Sequence, residues 1–581
     1  MAPLDDAGTT PATPQQSAPT SAPADPALTR TTTAGPVVGF ATPASDASPG
    51  THSWLGIPYA QPPVGDLRFR RARPAKPWTE PRSATEYGAS PFQVPLPESF
   101  GGLGDDRQAN PFSEDCLYLD VHRPATQDTA EGTTAGAAEG TDPLPVMVWF
   151  YGGAFQYGSA KNYPAFNFVQ QAGVVHVAMN YRIGALGFLD VSSLPAPRGD
   201  GGAFTGDTQP GFESNVGLYD QIAALRWVRE NIAEFGGDPE NVTIYGESAG
   251  AMSVLALMCM PDAQGLFHRA IAQSPAPASV ATAEDHAQLA RQFARLLDPA
   301  ADTDKRCAEA ITHARPEELV RAQVALLSGL KKSDPGVRTF APVADGVSLP
   351  DRILALIAEG KAAPVPLLIG TMENEGQLFR AGFDSGKTGE AIIPVTEGTL
   401  RTLLPGEAAQ DLLAVYTDFP SAEADSQLGG DLMFWYPSTV AAESHAHHAP
   451  TWMYSFEYTS QVPLFGRLGA THGAEIPHHF GRSTEYARAL GRAVEAGAAD
   501  PARADQLEAA ERDARFSVHL VELWSTFART GVPTAQAVPT WPQYDGVERA
   551  TMIIDAPFHV KHDPRSGTRQ AWAEYLHHRE G

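Results

Sequence analysis

The segment with the clearest capacity for chemistry is Gly246-Glu247-Ser248-Ala249-Gly250. A serine hydroxyl becomes a nucleophile when a sharp strand-to-helix turn presents it beside a base. The flanks suit such a turn: residues 242–245 read as a strand before it, and residues 251–257 as a helix after it. Small neighbours let strand and helix approach, and the helix N-terminus aims backbone N–H groups at the reacting centre. A glycine-rich turn with a surface serine would have the same pentapeptide, so the reading rests on this context. Acyl transfer also needs donors for a developing oxyanion. Tyr151-Gly152-Gly153-Ala154-Phe155 lies upstream, directly after the apolar run Leu144–Phe150. Alone it is a plain glycine turn. The two pieces together stand in the order an acyl-transfer site requires.

The hydrophobic pattern supplies elements to hold such a site. Leu144–Phe150 and residues 174–179, 242–245 and 366–370 are short apolar runs of the kind buried on both faces of a sheet. Leu218, Ile222, Leu225, Val228 and Ile232 recur at helical spacing. Gly236-Gly237 then ends the predicted helix, and Asp238-Pro239 turns the chain into the next strand. Trp452, Tyr454, Phe456 and Tyr458 alternate as a strand would. Alternating strands and helices predict an α/β chain with a central, mostly parallel sheet flanked by helices.

Composition bounds the rest. The length of 581 residues is enough for several domains of ~150 residues. No break in composition divides residues 31–575, so one domain over 31–581 is expected, after a disordered Pro/Ala/Thr-rich tail at 1–30. Lys and Arg number 42 against 68 Asp and Glu, a formal charge of −26. That balance lacks the basic footprint of a nucleic-acid binder and disfavours anionic membranes. No apolar run reaches the ~18 residues of a membrane span, and none near the N-terminus has the ~7–15 of a secretory h-region. A cytoplasmic protein with no membrane partner is therefore expected. Three cysteines exclude a disulfide-built scaffold and a four-cysteine metal site. Residues 125–142 read as a low-complexity surface loop. His445, His447 and His448 read as a solvated helix end, and His472-x-x-Glu475-x-x-His478 lacks the zinc spacing, so no metal is expected. No motif sets the oligomeric state.

Taken as a set, the motifs resemble the type B carboxylesterase, or cholinesterase-like, family of α/β-hydrolases over residues 33–575. They are Trp54-Leu55-Gly56-Ile57-Pro58-Tyr59-Ala60 with Leu67-Arg68-Phe69, Ser113-Glu114-Asp115-Cys116-Leu117-Tyr118-Leu119, Asn180-Tyr181-Arg182, residues 241–251, and Trp541-Pro542-Gln543-Tyr544. The resemblance implies an α/β-hydrolase fold and a triad of Ser248, Glu375 and His472. It implies oxyanion donors on the backbone of Gly153, Ala154 and Ala249, and a supporting role for Ser274 beside the acid. It also implies a substrate pocket shaped by Glu247, Phe340, Phe434 and Trp435. Glu375 and His472 each follow a predicted strand, where an open α/β sheet places its site. On residues alone, Glu373 competes for the acid, and His478 and His479 for the base.

Departures accompany the resemblance. Residues 1–115 contain no cysteine, so the family's disulfide from Cys116 to an upstream partner cannot form within this chain. Cys259 and Cys307 pair only if geometry allows, and a reducing compartment fits better. Residues 92–112 contain no Trp for a choline cation. Pro275 stands where the family usually has Gly. The long connection 192–213 reads as a solvated loop, with a lid as the alternative. The expectation is a serine carboxylesterase acting on small-molecule esters through an acyl-enzyme, without a cofactor. Amide, carbamate or mycotoxin and xenobiotic ester hydrolysis by the same residues is the rival, and a non-catalytic binding module the remote one.

Overall fold

The apolar runs assemble into the middle of an eleven-stranded sheet. In chain order its strands are β1 (Phe40–Thr42), β2 (Thr51–Pro58), β3 (Tyr118–Pro124), β4 (Leu144–Phe150), β5 (Val175–Met179), β6 (Gly237–Glu247), β7 (Arg269–Gln273), β8 (Leu367–Met372), β9 (Thr451–Phe456), β10 (Ala550–Ile554) and β11 (His559–His562). The computed structural model describes residues 24–43, 50–93, 112–125, 142–196, 211–333, 339–379, 408–462, 466–495 and 501–580. Spatial order is β11-β10-β9-β8-β7-β6-β4-β5-β3-β2-β1. The run from β10 to β5 is parallel throughout. The edges, β11 on one side and β3-β2-β1 on the other, are antiparallel.

Parallel neighbours need crossover connections, and helices supply them. The helices α1 (Val216–Asn231), α2 (Ala249–Cys259), α3 (Tyr436–Ala446) and α4 (Pro501–Thr530) pack on the sheet. Every residue of β5, β8 and β10 is buried, as covering on both faces requires. One cluster of buried apolar side chains extends from Leu28 to Ile554. Among the described residues, no helix is long and apolar enough to cross a membrane.

Two expectations change. α1 ends at Asn231 and a 3₁₀ turn, Ile232–Phe235, follows it. β6 then begins at Gly237, so Asp238-Pro239 lies within the strand entry and not in a turn before it. Proline cannot donate to the ladder, and the register with β4 shifts between Gly237 and Val242. The tail expected to end at residue 30 is packed earlier. Pro26–Leu28 forms a 3₁₀ turn, Leu28 is buried, and its carbonyl accepts from Trp54 Nε1 at 2.8 Å. Polar composition averaged over the segment hid that one anchoring leucine. Residues 1–23 lie outside the described residues, as do 126–141 of the low-complexity stretch and 197–210 of the lid candidate. Finally, Cys116, Cys259 and Cys307 are all free and buried, so Cys259 and Cys307 do not pair.

Beneath the loops sits a buried ion pair. Arg182 Nη2 and Nε meet the two oxygens of Asp220 at 2.7 and 2.8 Å, and Arg182 N–H donates to Asp220 Oδ2 at 3.0 Å. Their side chains are 3% and 0% exposed, so neither charge has water to fall back on. Asp220→Asn keeps the shape and leaves the guanidinium uncompensated. A loss of about 3–5 kcal/mol is expected, read as a lowered urea midpoint. An unchanged midpoint would contradict this role.

Candidate active site

Ser248 is the single residue between β6 and α2. Its φ of 57° and ψ of −121° lie outside the regions comfortable for a residue with a Cβ. The turn is tied on both sides. Ser248 N–H donates to Gln273 O at 2.9 Å, and Ser248 O accepts from Met252 N–H at 2.9 Å. The glycines two residues either side permit it. A Cβ on Gly250 would strike Phe150 O, and one on Gly246 would lie 2.6 Å from Phe150 O. The serine side chain is left half-buried at the end of the strand.

β4 lies beside β6, so the turn after Phe150 comes next to Ser248. A Cβ on Gly152 would sit 3.0 Å from Ser248 Cβ. Gly153, Ala154 and Phe155 have φ of 109°, 54° and 58°. This puts the carbonyl of Gly153 on the far side, where it accepts from Gln156 N–H at 2.9 Å and Tyr157 N–H at 3.0 Å. Among the described residues, no hydrogen bond uses the N–H of Gly153 or Ala154. Ala249 opens α2, so its N–H also lies outside the intrahelical ladder.

Glu375 and His472 come from loops after β8 and β9. An isolated bridge pairs Asn374 with Thr471, and Leu378 N–H donates to Thr471 Oγ1 at 2.8 Å. His472 Nδ1 lies 2.6 Å from Glu375 Oε2, and Glu375 Oε1 accepts from Met372 N–H at 2.8 Å. The other ring nitrogen, Nε2, lies 3.1 Å from Glu247 Oε1, on the residue preceding Ser248. It makes no aligned hydrogen bond among the described residues, to Ser248 Oγ or otherwise. A further carboxylate, Glu475, lies behind. Its Oε1 accepts from Gln273 Nε2 at 3.0 Å, and Gln273 Oε1 accepts from Trp524 Nε1 at 3.2 Å.

His472 and the three carboxyl groups are each 7% exposed or less. Burial alone would push the His472 imidazole down, but the carboxylates of Glu247 and Glu375 outweigh it and lift it to about 9. Burial raises the carboxyls of Glu247 and Glu475; His472 draws Glu247 part of the way back while Glu375 raises it, and Glu247 raises Glu475. Removing every proton from this cluster is therefore costly.

The structure joins some of the expected residues and separates others. Glu375, not Glu373, reaches the imidazole; Glu373 is exposed. His478 and His479 are buried structural residues. His478 Nδ1 meets Ser483 Oγ and Ser517 Oγ, and His479 packs 4.7 Å from Phe168. His445 is buried too, with Nε2 2.9 Å from Val365 O, which corrects its reading as a solvated side chain. Ser274, with φ 52°, makes no side-chain hydrogen bond to the acid among the described residues, where Met372 N–H holds Glu375. Phe434 lies 4.4 Å from the His472 ring. Trp435 turns away under the Arg565 guanidinium at 3.9 Å, because successive residues of the π-turn Asp431–Trp435 face different sides. Phe340 is packed in the main core. Phe379, unremarked in the sequence, stacks on Phe434 at 5.8 Å and lies 5.2 Å from His472. Glu475 was also missed; its only signal was a carboxylate three residues after a histidine. Among the described residues, no group of His, Cys, Asp and Glu could hold a metal ion.

The carboxylesterase family profile matches residues 26–572. The para-nitrobenzyl esterase of Bacillus subtilis (strain 168) is 35% identical, over 90% of this chain and 94% of its own length. Carboxylesterase 4A of Bos taurus is 32% identical, over 85% of this chain and 86% of its own. A solved structure of a PNB esterase superposes with a TM-score of 0.73 at 33% identity, covering 94% of this chain and 99% of that one. A thermophilic PNB esterase has the same TM-score, identity and coverage. The fold around Ser248 is thus the α/β-hydrolase fold, and the chain belongs to the carboxylesterase family as a carboxylic-ester hydrolase.

Proposed function

We propose that Ser248, His472 and Glu375 hydrolyse carboxylic esters through an acyl-enzyme. The observation that carries this reading is the buried 2.6 Å His472–Glu375 pair, whose second nitrogen faces the Ser248 turn. Ser248 Oγ attacks the ester carbonyl carbon while His472 Nε2 takes its proton. The N–H groups of Gly153, Ala154 and Ala249 receive the oxyanion. The carbon–oxygen bond to the alcohol breaks, and the leaving oxygen takes the proton from Nε2. Water then attacks the acyl-enzyme by the same route. Glu375 holds the tautomer with Nδ1–H and balances the imidazolium. Phe379 and Phe434 line the imidazole with apolar surface, which suits apolar substrate groups and makes a para-nitrobenzyl ester an apt first probe.

Ser248→Ala should abolish turnover of that ester, with a drop on the order of 10⁴-fold or more in kcat, while the thermal midpoint is retained. Turnover equal to the unmodified enzyme would sink the nucleophile assignment.

The imidazole accepts the serine proton only when Nε2 is bare. With its pKa lifted to about 9, the base form grows as pH rises. Glu247→Gln removes the first of the charges that lift it. The rising limb of kcat/KM against pH should then move to lower pH by about 1–3 units, the scale of one nearby opposite charge. A limb that stays in place would mean that Glu247 does not hold the proton on the imidazole.

A further inference from the structure

Nothing in the chemistry above explains why the side chain of Gln93 is buried beside the oxyanion turn. It is 7% exposed and hydrogen-bonds through both ends of its amide. Gly158 N–H donates to Gln93 Oε1 at 2.9 Å, and Gln93 Nε2 donates to Gly158 O at 2.8 Å and to Pro91 O at 3.1 Å. One side chain thus takes both backbone groups of Gly158, as a neighbouring strand would. The flanking contacts repeat the pattern. Ser90 Oγ–H donates to Ser159 Oγ at 3.0 Å, and Ser159 Oγ–H to Asn180 Oδ1 at 3.1 Å. Asn180 Oδ1 also accepts from Ala160 N–H at 2.9 Å, and Asn180 Nδ2 donates to Ala89 O at 3.0 Å. Residues 89–93 therefore clasp residues 158–160. The clasp is itself backed by a second strand, since Ser90–Pro91 pairs in parallel with Phe112–Ser113.

The clasp connects mechanically to the donors. Tyr157, next to Gly158, donates its N–H to Gly153 O, and its carbonyl lies where a Cβ on Gly153 would strike. A shift of Gly158 moves Tyr157, and Tyr157 bears on Gly153. We propose that Gln93 is a positioning residue for ester hydrolysis, holding Gly158 so that the N–H groups of Gly153 and Ala154 meet the oxyanion. The proposal rests on the reading of those N–H groups as oxyanion donors. Because the donors act most strongly on the charge of the transition state, misplacing them should lower kcat and leave KM nearly alone.

Gln93→Met removes both bonds to Gly158; Gln93→Glu keeps the acceptor for Gly158 N–H and loses the donor to Gly158 O and Pro91 O. Each full-length variant is assayed on a para-nitrobenzyl ester, with folded enzyme counted by circular dichroism. Each is also titrated with a trifluoromethyl ketone, which forms a tetrahedral oxyanion on serine. The expected result is a kcat lower by about 10–100-fold with KM within about threefold, and ketone affinity falling in parallel with kcat. Gln93→Glu stands in if Gln93→Met does not fold. A kcat within about twofold of the unmodified enzyme, or a ketone affinity that does not follow kcat, would overturn the proposal. Ser248→Ala is run alongside. Its full turnover would overturn the nucleophile reading itself, whereas an inactive Ser248→Ala with undiminished Gln93 variants overturns only the role of Gln93.

Discussion

The backbone of Ser248 is the constraint around which the rest is arranged. A non-glycine residue at φ 57° and ψ −121° costs about 1–3 kcal/mol and persists only where its surroundings over-determine it. Here they do. β6 and α2 meet with no loop between them, Gly246 and Gly250 bring both backbones against Phe150, and Gln273 holds the serine N–H. Each requires the parallel order of β4, β6 and β7. The same contact brings the turn after Phe150 against Ser248, and among the described residues the N–H groups of Gly153 and Ala154 make no hydrogen bond.

Charge is the second organising term. One imidazole lies between Glu375 and Glu247, with Glu475 behind them, all out of water. An isolated carboxylate would be very costly there, and the cluster lowers that cost by retaining protons. Glu475 is in turn fixed through Gln273 by Trp524 of α4, so a helix far along the chain helps to set the electrostatics beside Ser248. The imidazole is covered on another side by Phe434 and Phe379. Apolar cover keeps the local dielectric low and strengthens each of these charge interactions.

Much of this was legible before folding because it is local. The strand Leu144–Phe150, the helix after Ser248 and the period of α1 are short-range patterns, and the glycines of the nucleophile turn are demanded by its own geometry. The choice of Glu375 over Glu373 needed the family motif as well, since both stand near the end of β8. Errors arose where a side chain's surroundings come from distant sequence. His445 is buried because residues near Val365 lie over it; Trp435 leaves the site because a π-turn and Arg565 redirect it. Leu28 is anchored by Trp54, which composition cannot register.

From sequence came the class of protein: an α/β chain with a serine between a predicted strand and helix and a glycine turn upstream, to which the family resemblance added Glu375 and His472 as acid and base of the proposed triad. Those features are repeats of spacing and residue type, and spacing is a one-dimensional property. Tertiary structure alone decided which groups share the low-dielectric space around His472. It brought Glu247 and Glu475 within reach of the charge on His472, placed Phe379 beside the ring, and closed Gln93 on Gly158. Burial and distance set the strength of each of those interactions, and neither can be read from the separation of residues along the chain.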